Sequence, residues 1–276
     1  MLDLPNPFPG EMGIIRLLEP ANADGASLAA RVANGTYDKP FLTEHDDVRA
    51  LYFEWTYVQS QMRISAPTTL AMAYTRAMMS FLLLHPNPRR LLLLGLGGGS
   101  LAKFCHHHLP LAALTVVESN PHVLAFRDQF LIPPDDDRLR IVAGDAAAYV
   151  AACGDRHDVI LIDAYDRQGL SAALGSREFY ATVRARLLPG GVLVVNLAGY
   201  ATERADHLAT IRSVFGDDTL VVPVDEDDDD IVFAFATTAF EPRWRWMESQ
   251  AEPMRRRYGL EFPQLARRLK QSARLG

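Results

Sequence analysis

Residues able to do chemistry fall where short apolar runs end. Glu118 closes Leu114-Thr115-Val116-Val117, and Asp145 follows Leu139 to Ala143 and one glycine. Asp163 and Asp166 follow Val159-Ile160-Leu161-Ile162, and Asn196 follows Val192 to Val195. Two carboxylates three residues apart can converge on one cationic group. A primary alkyl amine has a pKa near about 10.4, so at neutral pH only about one molecule in a few thousand is nucleophilic. Asp163 and Asp166 could bind such an ammonium, and one of them could remove its proton as attack begins. Glu118 suits the two hydroxyls of a ribose. Asp145, in Gly144-Asp145-Ala146, is placed to accept from an adenine amino group. Capping of the following turns is the plainer role open to Asp145 and Asp163 singly. It does not account for polar residues at the end of every successive run.

A glycine loop supplies the other half of the chemistry. Leu91 to Leu94 stop at Gly95-Leu96-Gly97-Gly98-Gly99-Ser100, and helix-compatible residues follow before the run that ends on Glu118. Such glycines allow positive φ and let backbone N–H groups approach a ligand, while the helix they open offers its positive dipole end. Read as Gly-x-Gly-x-x-Gly, the loop nearly satisfies a dinucleotide fingerprint at Ser100, so a dehydrogenase is open on this loop alone. Three glycines at 97, 98 and 99 fit a nucleoside-sulfonium ligand better.

These residues need a sheet to gather them. Beyond the strand-helix pairs already named, Ala146 to Ala152 and Arg177 to Leu188 read as helices, the latter capped by Ser176 and closed by the turn Pro189-Gly190-Gly191. A helix from Pro121 to about Phe130 and one from about Glu203 to Phe215 complete the set. Strand six (Thr219 to Val224) and strand seven (Ile231 to Ala236) are separated only by the acidic run Asp225 to Asp230. That is too short for a crossover, so strand seven must run antiparallel to strand six. The expected fold is α/β, a class I methyltransferase-like (Rossmann-like) seven-stranded, mostly parallel sheet with an antiparallel last strand. Ordinary dinucleotide-binding folds lack that strand.

Upstream, residues 1–65 read as a small β-rich domain. Its first part, with Pro5, Pro7 and Pro9, reads as an extended arm, and Val48 to Met62 as a β-hairpin turning near Glu54 and Trp55. Residues 66–240 form the catalytic domain, which opens on a helix from Leu70 to Leu84. Residues 241–276 form a basic tail of one or two amphipathic helices, packing on the domain or offering a partner surface.

The 276 residues are 49% hydrophobic and carry a net charge of −6, which allows one sizeable core and disfavours nucleic acid as a partner. Cys105 and Cys153 have no metal or redox spacing, the start MLDLPNPFPGEMG does not resemble a signal peptide, and no apolar run could span a bilayer. The expectation is a cytoplasmic protein without a membrane partner. His106-His107-His108 fall on successive helix faces, so no metal is expected. The acidic run has two readings, a solvated turn or an attractor of polyamines.

The motifs GLGGGS, VVES, AGDA, DVILIDAYD and EFYATVRARLLPGGVLVVN together resemble the spermidine synthases, or aminopropyltransferases, in their shorter bacterial branch. The resemblance covers roughly Leu51 to Ala236. It implies a usually dimeric enzyme that moves an aminopropyl group from decarboxylated S-adenosylmethionine to putrescine or another di- or polyamine, releasing methylthioadenosine, with no prosthetic group. By position it implies that Gly95 and Gly97 to Gly99 line the nucleoside pocket, that Glu118 holds ribose, and that Asp145 with Ala146 contacts adenine. It further implies Asp163 as general base, Asp166 as second acceptor aspartate and Gln59 near the acceptor.

The sequence departs from the family at two points. Ser100 stands where the family has an aspartate for the donor's ammonium, which removes a charge-assisted contact worth roughly 1.5–3 kcal/mol. The family's Tyr-Gln pair is missing from the stretch Ser65 to Leu70. Two rival readings follow, a methyltransferase using intact S-adenosylmethionine and a catalytically silent nucleoside binder.

Overall fold

The computed structural model describes the chain except residues 167–168, 171–172, 217–218, 238–241 and 276, and except the side chains at 166, 274 and 275. The boundary expected at 240 therefore lies outside the described residues. The N-terminal part contains β1 (Leu2–Pro5), β2 (Ile14–Leu17), α1 (Gly25–Ala33), β3 (Phe41–His45), β4 (Val48–Tyr52) and β5 (Val58–Arg63). The five strands pair antiparallel in chain order. The segment expected to be an extended arm is thus part of a sheet. Pro5 is tolerated because it ends an edge strand, where a missing N–H breaks no ladder. Ile15 and Leu17 join Leu28, Val32, Tyr37 and Phe41 in a small core of their own.

Two short helices follow, α2 (Ala73–Met78) and α3 (Phe81–Leu84), where one helix from Leu70 to Leu84 was expected. The break is local. The Ser80 hydroxyl donates to the Ala77 carbonyl at 2.6 Å, a serine–backbone bond of the kind that competes with the helical ladder.

The remaining elements are β6 (Arg90–Leu94), α4 (Ser100–His108), β7 (Ala113–Glu118), α5 (Pro121–Ala125), β8 (Leu139–Ala143), α6 (Ala146–Ala152) and β9 (His157–Ile162). They continue with β10 (Tyr165–Asp166), β11 (Gly169–Leu170), α7 (Arg177–Ala185), β12 (Leu187–Leu197), α8 (Ala201–Phe215), β13 (Leu220–Val224), β14 (Asp229–Phe235), α9 (Trp244–Tyr258) and α10 (Phe262–Leu275). Helix α5 stops short of Phe130. Helix α7 ends before Leu188, because Leu187 already pairs with His157 and starts β12. The expected Pro189-Gly190-Gly191 turn is instead a register irregularity inside that strand.

The large sheet has the order β13-β14-β12-β9-β6-β7-β8. Strand β14 is antiparallel to both of its neighbours, and the other pairs are parallel. This is the mixed seven-stranded sheet expected from the short acidic connection. Leu91, Leu93, Val159 and Leu161 face one core with α2, α3, α4, α9 and α10. Leu92, Leu94, Ile160 and Ile162 face another with α6, α7 and α8. Burial on both faces is why these strands are unbroken apolar runs. Met247, Ala251, Leu265 and Leu269 of the C-terminal helices are buried in the first core, so the tail packs on the sheet. Among the described residues, no helix is long and apolar enough to cross a membrane.

Candidate active site

Strand register brings the glycine loop and the acids together. At the tips of β6, β7 and β9, Gly95 N–H donates to the Val117 carbonyl at 2.9 Å and Asp163 N–H to the Leu94 carbonyl at 2.9 Å. Gly95 has φ +94°, and a side chain there would collide with the Asp163 carbonyl oxygen. Glycine is required on both counts. Gly99, at φ +68°, precedes α4 and leaves no room for a Cβ against Ile132.

Glu118 is buried, and its carboxylate fixes this loop. One oxygen accepts from Leu96 N–H at 2.9 Å and the other from Asn120 N–H at 2.7 Å. A carboxylate has about four lone-pair sites, so two remain for a ligand. Asp145 caps α6 by accepting from Ala148 N–H at 2.7 Å, and the residue is exposed at the strand end, followed by buried Ala146. The capping role is thus realised, and it leaves the second carboxylate oxygen available.

Asp163 is partly exposed and held from two sides. Tyr74 of α2 donates its hydroxyl to one carboxylate oxygen at 3.2 Å, and the Asn196 amide at the end of β12 donates to the other at 3.1 Å. Desolvation raises the Asp163 pKa above the ordinary carboxylate range, these two bonds oppose the rise, and the Glu118 charge adds to it. A carboxylate raised in this way is a stronger base once ionised. Asn196 is itself placed through Tyr165, whose hydroxyl donates to the Asn196 carbonyl and accepts from Ala198 N–H, both at 2.8 Å.

The acidic run makes the expected turn at 225–228, with Asp225, Glu226 and Asp228 exposed, and it is also tied to the fold. Glu226 pairs with Arg76, Asp227 accepts from Tyr74 N–H at 2.6 Å, and Asp228 and Asp230 pair with Arg204. Asp229 is buried at the start of β14. Burial, with the charges of Asp163 and Asp227, pushes its pKa up to about 7.

Of the other expected residues, Ser100 opens α4 and its hydroxyl lies 3.4 Å from that of Ser60 on β5. Gln59 sits at the register shift between β4 and β5, beside Ser60. The Asp166 backbone pairs with Gly169 in the β10–β11 ribbon, and its side chain lies outside the described residues.

Sequence reading did not single out Tyr74, Ser60 or Asp229. The signal for Tyr74 was a tyrosine in a helix dense in apolar residues, since a buried hydroxyl needs a partner. At the opposite end of the sheet, an open hollow bordered by Arg156, Arg184 and Pro189 has no carboxylate in its lining.

A glycine loop and a partly exposed carboxylate at the tips of this mixed sheet fit a transferase of the methyltransferase-like fold. The model of the spermine/spermidine synthase domain matches residues 71–212. A polyamine aminopropyltransferase of Chromobacterium violaceum is 32% identical over 232 residues, 84% of this chain and 89% of that protein. The chain belongs to the spermine/spermidine synthase family. A probable spermidine synthase from Corynebacterium glutamicum superposes with a TM-score of 0.65 at 19% identity, over 78% of this chain and 84% of that one. Human methyltransferase-like protein 13, in complex with SAH, gives 0.58 at 26% identity, over 74% of this chain and 93% of that one.

Proposed function

We propose that the chain transfers an aminopropyl group from decarboxylated S-adenosylmethionine to putrescine or another di- or polyamine, releasing methylthioadenosine. The observation that carries this reading is the partly exposed Asp163 carboxylate, held by Tyr74 and Asn196 beside the glycine loop. In it the glycines from Gly95 to Gly99 and Glu118 receive the nucleoside and its ribose, and Asp145 and Ala146 border the adenine. Asp163 takes a proton from the acceptor ammonium while Asp166 helps to hold it. The freed amine attacks the methylene beside the sulfonium. The C–N bond forms, the C–S bond breaks, and its electron pair leaves on sulfur. Alignment of the two reactants supplies much of the rate. We place the enzyme in the cytoplasm as a homodimer, as its resemblance to the family and its cysteine usage suggest.

A second reading, methyl transfer from intact S-adenosylmethionine, is favoured by one feature. Ser60 and Ser100 put two neutral hydroxyls at the helix start, where an acid would repel the donor's carboxylate. One incubation separates the two. The protein is mixed with each donor and a panel of amines, and the released nucleoside is identified by mass spectrometry. Methylthioadenosine supports aminopropyl transfer. S-adenosylhomocysteine supports methyl transfer and overturns the first reading, as does the absence of both.

A further inference from the structure

We propose that Asp229 is a substrate-binding residue, forming with Asp163 and the amide oxygen of Asn196 a socket for one protonated amino group of the acceptor. This deepens the amine-acceptor reading above and rests on it.

The placement follows from topology. Because β14 runs opposite to β12, its first residue lies beside the last residues of β12, with Leu197 paired to Asp230 and Asn196 to Ile231. An acid that opens strand seven therefore joins the acids that close the parallel strands. Asn196 is 3% exposed, and its amide nitrogen donates to Asp163 while favouring the charged form of Asp229. The amide must present nitrogen, not oxygen, to two carboxylates. Its oxygen is left buried without a hydrogen-bond partner. A buried acceptor left unmet carries the full desolvation cost.

The charges are equally unmatched. Asp163, Asp227, Tyr74 and Tyr165 all lie close enough to feel or add to the Asp229 field. Arg204 is a cation that acts on Asp229, and its guanidinium is shared among Asp230, Asp228 and the Gly199 carbonyl, while Arg76 is paired with Glu226. An alkyl ammonium brings one positive charge and three N–H donors. Two carboxylates and one amide oxygen are the acceptors that it needs. When the ammonium gives up its proton, a carboxylate of the pair takes it, so no further reactant is required.

Diamine binding to the full chain, measured by titration calorimetry with putrescine in the presence of methylthioadenosine, tests the socket. Asp229→Asn is expected to weaken putrescine at least tenfold while leaving methylthioadenosine affinity and the melting temperature unchanged. Asp225→Asn, at an exposed acid of the same run, is expected to stay within twofold of wild type. Equal putrescine affinity in Asp229→Asn overturns the socket, as does an equal loss in Asp225→Asn, which would mean diffuse attraction. A second measurement needs no variant. With wild type near pH 6.5, calorimetry in buffers of different ionisation enthalpy should show proton release on putrescine binding, and none would overturn the proposal. Binding without turnover rejects the transferase reading and leaves the Asp229 comparison decisive. A wild-type protein that binds no diamine overturns both.

Discussion

The Asp163 carboxylate must be ionised to accept a proton, yet burial favours its neutral form, and the Tyr74 and Asn196 bonds restore part of the balance. Replacing it by asparagine keeps the shape and one accepting oxygen but removes the base, and the new amide N–H can meet the Tyr74 hydroxyl only as a donor. Asp163→Asn should lower kcat by roughly 10²–10⁴-fold with little change in donor affinity, as steady-state kinetics with both substrates would show. Tyr74→Phe removes one bond that stabilises the ionised form, so the Asp163 pKa should climb further. The acidic limb of the kcat/KM profile should then move to higher pH. A profile unchanged from wild type would mean that the tyrosine only packs. Asp163 was legible in the sequence because a buried run ended on it. Tyr74 was not, because its meaning depends on a contact 89 residues away.

Among the elements, the β6–α4 connection bears the tightest constraint. Gly95 must hold a positive φ and lie against the Asp163 backbone, so Gly95→Ala meets strain and collision together. Strain alone costs about 1–3 kcal/mol. The variant should show a lowered denaturation midpoint and, since the loop and Asp163 shift together, lose nucleoside affinity by calorimetry. Gly98→Ala should be milder, because its Cβ would meet the Ser60 hydroxyl at 2.6 Å and the Phe130 ring at 2.9 Å, side chains rather than backbone. Strand and helix types were readable from periodicity. The break between α2 and α3 was not, because a single serine hydroxyl turning back on Ala77 leaves no mark on an apolar pattern. The early start of β12 was likewise hidden, since its pairing with β9 outweighs the turn chemistry of Pro189-Gly190-Gly191.

Across the whole molecule, the N-terminal sheet and the seven-stranded sheet's domain meet around Lys103. This lysine of α4 is 2% exposed and donates to the Phe130 carbonyl at 2.7 Å, next to the Met62 sulfur of β5. Desolvation, with the Arg49 charge added, pulls its pKa down to about 7. An unfolded lysine titrates near about 10.4, so between these values the unfolded chain binds more protons. The contribution of Lys103 therefore makes stability rise from about pH 7 toward pH 10, with no further loss from this group below about pH 7. Lys103→Met should flatten that slope in urea midpoints measured across the range. A slope equal to wild type would place the protonation elsewhere.

By itself the sequence determined the parts with local causes. Apolar runs buried on both faces gave the strands, glycines gave the loop, and the short acidic connection forced an antiparallel seventh strand. It also placed Glu118, Asp145 and Asp163 at strand ends, since an acid cannot continue a doubly buried run. Only the tertiary structure decided which of them share a site. Strand order brings Asn196 onto Asp163 and sets the first residue of β14 beside them, turning an acidic stretch into one buried carboxylate and several ion-paired ones. Spatial neighbourhood depends on which strands pair, and that is settled by packing across the whole core rather than by any local spacing.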